Sequence, residues 1–356
     1  MKPAGLKVLV LADSVAFHTE RFAAELRRQG CHVLVASLER GVMHHFHIRK
    51  RGAVKCLHYM LAIPQVRVLI RRFQPDIINP HFASGYGALA TLARGSGGVP
   101  IVLNLWGSDI LIVPHKSFLH RWKTRRALKT ADFVIGDSNY LLEAAAKLST
   151  LAKQRMIPWG IERANLALHK DNYQFRHPLR IIIPRMHAPV YNNLFIVRAL
   201  RPMVRDGDVF LTFPGFGSCT DEFKREAGNL LGNGIELYER MERPDFLRLM
   251  AGFDIYLSAA RSDSSPVSLI EAMALGLVPV AADIPGIREW LTPDNGYTYR
   301  EDDENNLRTV ISNLHKRSDV CDQMRRSNLD TVRRKAVFEN NVAEQIEIMQ
   351  TLVNRK

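Results

Sequence analysis

The sequence predicts an α/β protein of two doubly wound, Rossmann-like parallel-sheet domains facing a cleft. Three observations carry that expectation. Apolar, β-branched runs such as Leu6–Ala12 (LKVLVLA), His32–Ser37 (HVLVAS) and Arg180–Pro184 (RIIIP) read as strands buried on both faces, the habit of parallel sheets. Segments of helical periodicity separate them, as βαβ units require. At 356 residues the chain exceeds one ordinary core, and the polar, weakly periodic stretch 162–178 suits a linker. The expected division is 1–165, a linker at 166–178, a second domain at 179–334, and a C-terminal helix at 335–356 packing back toward the first domain.

In the first domain, Leu6–Ala12 leads through a loop at Ser14–His18 into a helix at Thr19–Gln29, which Gly30 ends before His32–Ser37. No G-x-G-x-x-G follows the first strand, so a dinucleotide fingerprint is absent. Asp76–Asn79, Ile101–Leu105 and Ala131–Asp137 are further strands, Lys116–Lys129 is a helix, and Arg155–Gly160 closes the sheet. Ligands of open α/β sheets bind beyond the carboxyl ends of the strands. His18, His81, Trp106 and Asp109 all fall there. The second domain repeats the alternation through Val209–Pro214, Ile235–Tyr238, Asp254–Ser258, Val278–Ala282 and Gly296–Tyr299. A two-substrate enzyme would place its chemistry in the cleft between such domains.

Composition narrows the class. Hydrophobic residues make up 46% and charged residues 24%, ordinary for a globular protein, and no apolar run is long enough to span a membrane. The N-terminal apolar run is interrupted by Asp13 and reads as a first strand, not a signal peptide. Cys31, Cys56, Cys219 and Cys321 are scattered, as reduced thiols of a cytoplasmic protein would be. His44, His45 and His47 cluster, but no carboxylate or cysteine completes a metal set, so no metal is expected. The net charge of +13 is lopsided: residues 1–175 hold 25 Lys and Arg against 11 Asp and Glu, residues 176–356 hold 24 against 25. A one-sided basic field favours an anionic partner. Nucleic acid lacks support, since no helix-turn-helix or aromatic–basic strand motif is present. The basic stretches 40–72 and 116–129, the latter with Phe118, Leu119 and Trp122, suit an anionic membrane surface or a solvated face.

The most informative stretch is Arg261–Pro279, RSDSSPVSLIEAMALGLVP. Ser265 suits an N-cap, Pro266 a first helical residue, and Gly276 a C-terminal cap. The N–H groups of Val267, Ser268 and Leu269 would then point from the positive end of the helix toward a phosphate. Glu271 on the second turn and Asp263 before the helix could take hydroxyls on either side. A nucleoside-diphosphate sugar has that shape.

This stretch resembles the signature of the retaining glycosyltransferases of family 4, which have the GT-B fold. Asp263 stands where glutamate is commoner, and Glu271 occupies the second acidic position. HTERFAAELRRQGCHV, PHFASGYG, LWGSDI, ADFVIGDSNYL, IPWGI, IIPRMHAPVYNN and NGYTY resemble, in order, a WGSD-containing subgroup. The resemblance implies transfer of a sugar from a nucleoside diphosphate to a glycan or lipid-linked acceptor, with retention and without a metal. It implies Arg185 and the helix N-terminus (Pro266 to Leu269) at the diphosphate and Glu271 at the ribose. Asp263 would lie under the donor sugar. His18, His81, Trp106 and Asp109 would serve the acceptor side or the donor sugar. Trp106 replaces a common histidine and Tyr191 a common lysine. The second cation at the diphosphate is left open, with Arg180 and Lys116 among those that could supply it. A nucleotide-sugar epimerase of the same fold and a non-catalytic nucleotide-sugar-binding partner remain as alternatives.

Overall fold

Among the described residues, seven short parallel strands form the frame of the first unit. β1 (Lys7–Leu11), β2 (His32–Ser37), β3 (Phe46–His47) and β4 (Ile77–Pro80) pair in the order β3-β2-β1-β4. β5 (Val102–Asn104), β6 (Phe133–Gly136) and β7 (Gln154–Met156) follow in sequence, and parallel bridges Ile78–Ile101 and His81–Asn104 join β5 to β4. Strand order reverses between β1 and β4, where Val8 faces both Val33 and Ile77. The computed structural model describes residues 5–41, 45–50, 55–95, 98–170, 175–314 and 318–355. The chain divides into a first unit of residues 1–158 with 339–356 and a second of residues 159–338.

The second unit has the same plan. β8 (Leu179–Ile182), β9 (Val209–Pro214), β10 (Ile235–Tyr238), β11 (Ile255–Ser258), β12 (Val278–Ala282) and β13 (Tyr297–Tyr299) run parallel in the order β10-β9-β8-β11-β12-β13. Here the order reverses between β8 and β11, which pair through Ile255 and Ile181. Each sheet buries both faces under helices, which is why its strands read as continuous apolar runs. Leu9, Leu11, Ile78 and Leu103 centre one core; Ile181, Leu211, Leu257 and Val280 centre the other. Each such side chain contributes about 1.5–3 kcal/mol on burial.

The expected linker differs from its sequence reading, while the final helix falls in the first unit as expected. The chain from Trp159 belongs to the second unit: within the expected linker region Arg163–Leu168 is a 3₁₀ helix, and His169 Nδ1 lies 2.8 Å from the Ala274 carbonyl. The final helix, Phe338–Val353, contributes to the first unit from Glu339 onward, and Val342, Ile346 and Met349 are buried. Asn341 Nδ2 donates to the Pro158 carbonyl at 2.7 Å, and Arg155 pairs with Glu344 at 2.6 Å. His44 and Arg51 lie outside the described residues. Among the described residues, no helix is long and apolar enough to cross a membrane and no group of three potential metal ligands occurs.

Candidate active site

In the second unit, the candidate residues gather where the strand order reverses. Arg185 follows β8, Asp263 follows β11, and the helix Val267–Leu275 begins just beyond. Seven of that helix's nine residues are buried, from Leu269 to Leu275, which anchors its N-terminus against the sheet. Gly276 ends it in the left-handed conformation (φ 86°), and any larger residue there would be strained. Gly286 allows a second close approach, because a Cβ would collide with the backbone carbonyls of Asp263 and Ser264.

The start of this helix corrects the sequence reading. Pro266 is the capping residue and not the first helical one, with φ −64° and ψ 113°. Its carbonyl accepts from Leu269 N–H at 3.0 Å, so the Leu269 N–H, expected to face a phosphate, is already engaged. Ser265 does not cap the helix. Its hydroxyl accepts from the Trp290 indole at 3.0 Å. The helix N–H groups left without a carbonyl one turn back are thus those of Val267 and Ser268.

Arg185 is buried beside them. Its Nη1 donates to Ser268 Oγ at 3.0 Å, its Nη2 pairs with the Asp263 carboxylate, and its guanidinium lies 4.3 Å from the centre of the Tyr191 ring. Tyr191 therefore offers a π face to the cation where the resembling family often has a lysine. Burial alone would depress the Arg185 pKa, but the neighbouring Asp263 carboxylate more than offsets this and holds the guanidinium charged. Tyr256 completes the cluster, with its hydroxyl 3.2 Å from Ser268 Oγ.

Glu271 is almost fully buried and pairs with Arg243 at 2.5 Å; Arg243 also reaches Glu162 at 3.5 Å. Burial works against the Arg243 charge, and the Glu271 and Glu162 carboxylates outweigh it and raise its pKa. Arg243 opens the helix that follows β10, at the carboxyl end of a strand, so the same positional rule that selected His81 would have found it. It is the second guanidinium of the site. Arg180 is not: it stands at the amino-terminal end of the strands, its guanidinium 4.7 Å from the Phe253 ring. Lys116 lies in the other unit.

In the first unit, the four acceptor-side candidates also come together where the strand order reverses. His18 lies in the first turn of the helix Phe17–Arg28, His81 follows β4, and Trp106 and Asp109 follow β5. The Trp106 ring lies 5.9 Å from His18 and 5.8 Å from His81, between ring centres. Trp106 Nε1 is only a donor and lies 3.2 Å from His81 Nδ1, which must therefore accept. His81 Nε2–H then donates to Asn79 Oδ1 at 3.0 Å, Asn79 Nδ2 to Asn104 Oδ1 at 3.1 Å, and Asn104 Nδ2 to Gln345 Oε1 at 2.9 Å. One polarity thus runs from the indole to the last helix. Burial, with a lesser contribution from His18, lowers the His81 pKa to about 3, so the ring is neutral near pH 7. It serves as a hydrogen-bonding group, not a cation.

Asp109 is fully buried and accepts from the backbone N–H groups of Ala83 at 2.7 Å and Trp106 at 2.9 Å. It thus ties together two loops. Phe82, immediately after His81, has φ 77°, a strained conformation for a bulky residue, and the Ala83 anchor helps to hold it. Burial raises the Asp109 pKa to about 6 despite those backbone donors. This geometry makes Asp109 a positioning residue for His81 and Trp106, with its own carboxylate turned onto the backbone and away from solvent.

Two parallel sheets of one strand order, each with polar groups at the reversal, define a doubly wound class of α/β protein. Residues 7–138 match the family described as glycosyl transferase 4-like, and residues 178–317 match glycosyl transferases group 1. With a match over each unit, the chain belongs to the glycosyltransferases of GT-B fold. It is similar to TuaC of Bacillus subtilis, named for teichuronic acid biosynthesis, at 26% identity over 224 residues, 61% of this chain and 55% of TuaC. The chain therefore spans about half the length of that relative. It is 26% identical over 299 residues to AmsK of Erwinia amylovora, an amylovoran biosynthesis glycosyltransferase, covering 76% of this chain and 70% of AmsK. The crystal structure of Anabaena Alr3699/HepE in complex with UDP matches in fold, with a TM-score of 0.78, 15% identity and coverage of 97% and 100%.

Proposed function

We propose that the chain is a retaining family 4 glycosyltransferase of the WGSD-containing subgroup. It would move a sugar from a nucleoside diphosphate to a glycan or lipid-linked acceptor in cell-surface polysaccharide or glycolipid assembly. The observation that carries this reading is the placement of Arg185 between Ser268 and Asp263, at the N-terminus of the Val267–Leu275 helix. A diphosphate there would meet the N–H groups of Val267 and Ser268, the helix dipole and a guanidinium held charged by its surroundings. Those groups stabilise the negative charge that builds on the leaving phosphate. Glu271, fixed by Arg243, takes the ribose hydroxyls. Asp263 favours the oxocarbenium-like transition state electrostatically. As the bond from the anomeric carbon to the phosphate oxygen breaks, the acceptor oxygen bonds on the same face, and its proton passes to the departing phosphate oxygen.

Helix and arginine supply the positive charge that a metal would otherwise provide, so the reaction is proposed to be metal-independent. In the first unit, His81 and Trp106, held by Asp109 and flanked by His18, bind neutral hydroxyls of the acceptor or of the donor sugar. The protein works on the cytoplasmic face of the membrane as a peripheral protein, through its basic stretches 40–72 and 116–129. The comparison proteins of polysaccharide assembly and the UDP complex support the sugar-transfer part of this reading.

Incubation with a panel of nucleotide sugars and soluble acceptors, with and without EDTA, tests the proposal. NMR of the product should show the donor's anomeric configuration and an EDTA-insensitive rate. An inverted anomer, or conversion of the nucleotide sugar with no acceptor present, would refute it.

A further inference from the structure

Two anchors hold the Arg185 guanidinium, and they differ in charge and in burial. One is the Asp263 carboxylate on Nη2. The other is neutral: Nη1 donates to Ser268 Oγ at 3.0 Å, and the Tyr256 hydroxyl lies 3.2 Å from the same oxygen. Tyr256 is wholly buried on β11, beside the point where the strand order reverses, and its hydroxyl is also hydrogen-bonded to the Ser258 side chain. The neutral anchor is therefore rooted in the sheet. The Asp263 side chain is 17% exposed against 8% for Arg185, and it stands on the loop after the strand. Gly286 packs against the backbone carbonyls of Asp263 and Ser264, so the freedom at this point lies in the carboxylate arm.

Charge decides which anchor yields to a ligand. While Arg185 is paired with Asp263 the two sum to zero, and Tyr191 adds a ring instead of a second cation. A diphosphate arriving there would meet only the helix terminus, worth about half a positive charge, and the Asp263 carboxylate would repel it. We infer that the diphosphate takes the place of Asp263 on Arg185, and that Ser268 and Tyr256 are the positioning residues that keep the guanidinium there while the carboxylate turns to the donor sugar. The inference rests on the sugar-transfer reading above and deepens it, because loading the donor and freeing Asp263 become one event. One ion pair is exchanged for another and no covalent bond changes. Ser268 then serves twice, its N–H toward the anion and its hydroxyl under the arginine.

Titration of the full chain with UDP, GDP, ADP and dTDP, and then with the nucleoside of the tightest of them, tests this. Asp263→Asn should bind that diphosphate more tightly than the parent by on the order of tenfold, although it loses transfer. Ser268→Ala should weaken diphosphate binding by roughly ten- to a hundredfold and Tyr256→Phe by about two- to tenfold. The nucleoside, which offers Arg185 no phosphate, should bind these variants as it binds the parent. Ser268→Thr keeps the hydroxyl and should recover most of the loss. Unchanged or weaker diphosphate binding in Asp263→Asn would overturn the inference. So would unchanged diphosphate binding in Ser268→Ala, or losses there that are equal for diphosphate and nucleoside. If the parent binds none of the four diphosphates, the sugar-transfer reading itself falls, and the inference with it.

Discussion

The two units share a strand order but solve different problems at the point where it reverses. The second unit builds its site from ion pairs, Arg185 with Asp263 and Arg243 with Glu271. The first builds from neutral hydrogen bonds, Trp106 through His81, Asn79 and Asn104 to Gln345, with one carboxylate turned onto the backbone. The surfaces differ as well. The first unit holds 25 Lys and Arg against 12 Asp and Glu, the second 24 against 24. Ten of the twelve exposed large apolar side chains among the described residues lie in the first unit. One fold thus supports a charged, ion-paired cluster in one unit and, separately, a neutral hydrogen-bonded cluster in the unit with the basic exterior. Function lies in what each reversal point carries, and the shared sheet does not determine it.

The largest effect should come from breaking the Arg185–Asp263 pair. Arg185→Ala leaves Asp263 without its partner and removes a cation from the proposed phosphate site. It should cost the second unit roughly 3–5 kcal/mol in chemical denaturation, and transfer should fall by at least about a hundredfold. The double variant Arg185→Met/Asp263→Leu should regain much of the stability and none of the activity. If the double variant transfers sugar, the ion pair is structural and the contrast between the units fails.

A smaller and pH-dependent effect should come from Asp109. Its pKa is about 6 in the folded protein, against about 3.9 unfolded. The raised value contributes stability that is complete below about pH 4 and lost as pH rises through about 6. Protonation therefore does not loosen the fold, but it removes the charge that holds Ala83 and Trp106. A pH–rate profile should show an acid limb near pH 6 with no matching loss of melting temperature from this group. Asp109→Asn should flatten the limb and lower the plateau. An unchanged limb in that variant would assign it elsewhere.

The smallest effect should come from Gln345, far from the indole it helps to orient. Gln345→Leu leaves the Asn104 amide buried without its acceptor, a cost of about 1–3 kcal/mol. It should alter kcat more than the affinity for nucleotide. Gln345→Glu keeps an acceptor and should recover part of the loss. Equal behaviour of Leu and Glu variants would show that the helix supports the site by packing alone.

How much of this was visible in the sequence follows the range of the forces. The helix at 267–275 was legible because its signals are local: a proline before it, a left-handed glycine after it and an apolar run between. Its capping was misread because Ser265 is drawn away by Trp290, 25 residues on, which no local rule registers. The position of Arg243 after a strand is legible in the sequence, but its pairing with Glu271 is not, because it comes from a separate strand–helix unit. The relay to Gln345 spans 241 positions, and only the folded chain brings its ends together. Charge asymmetry pointed to the first unit as the basic one. The exposure of Phe118 and Trp122 depended on which face of their helix meets the sheet, and the even mixture of aromatic and basic residues left that open.

The sharpest check is calorimetry on the ribose contact proposed for Glu271, made in the full chain. The parent is titrated with the nucleoside diphosphate it binds best, and Glu271→Ala and Arg243→Ala are titrated alongside. Glu271→Ala should abolish measurable binding, and Arg243→Ala should weaken it through loss of the carboxylate's orientation. Parental affinity in Glu271→Ala, with the fold intact, would contradict the assignment of a nucleoside diphosphate to this site.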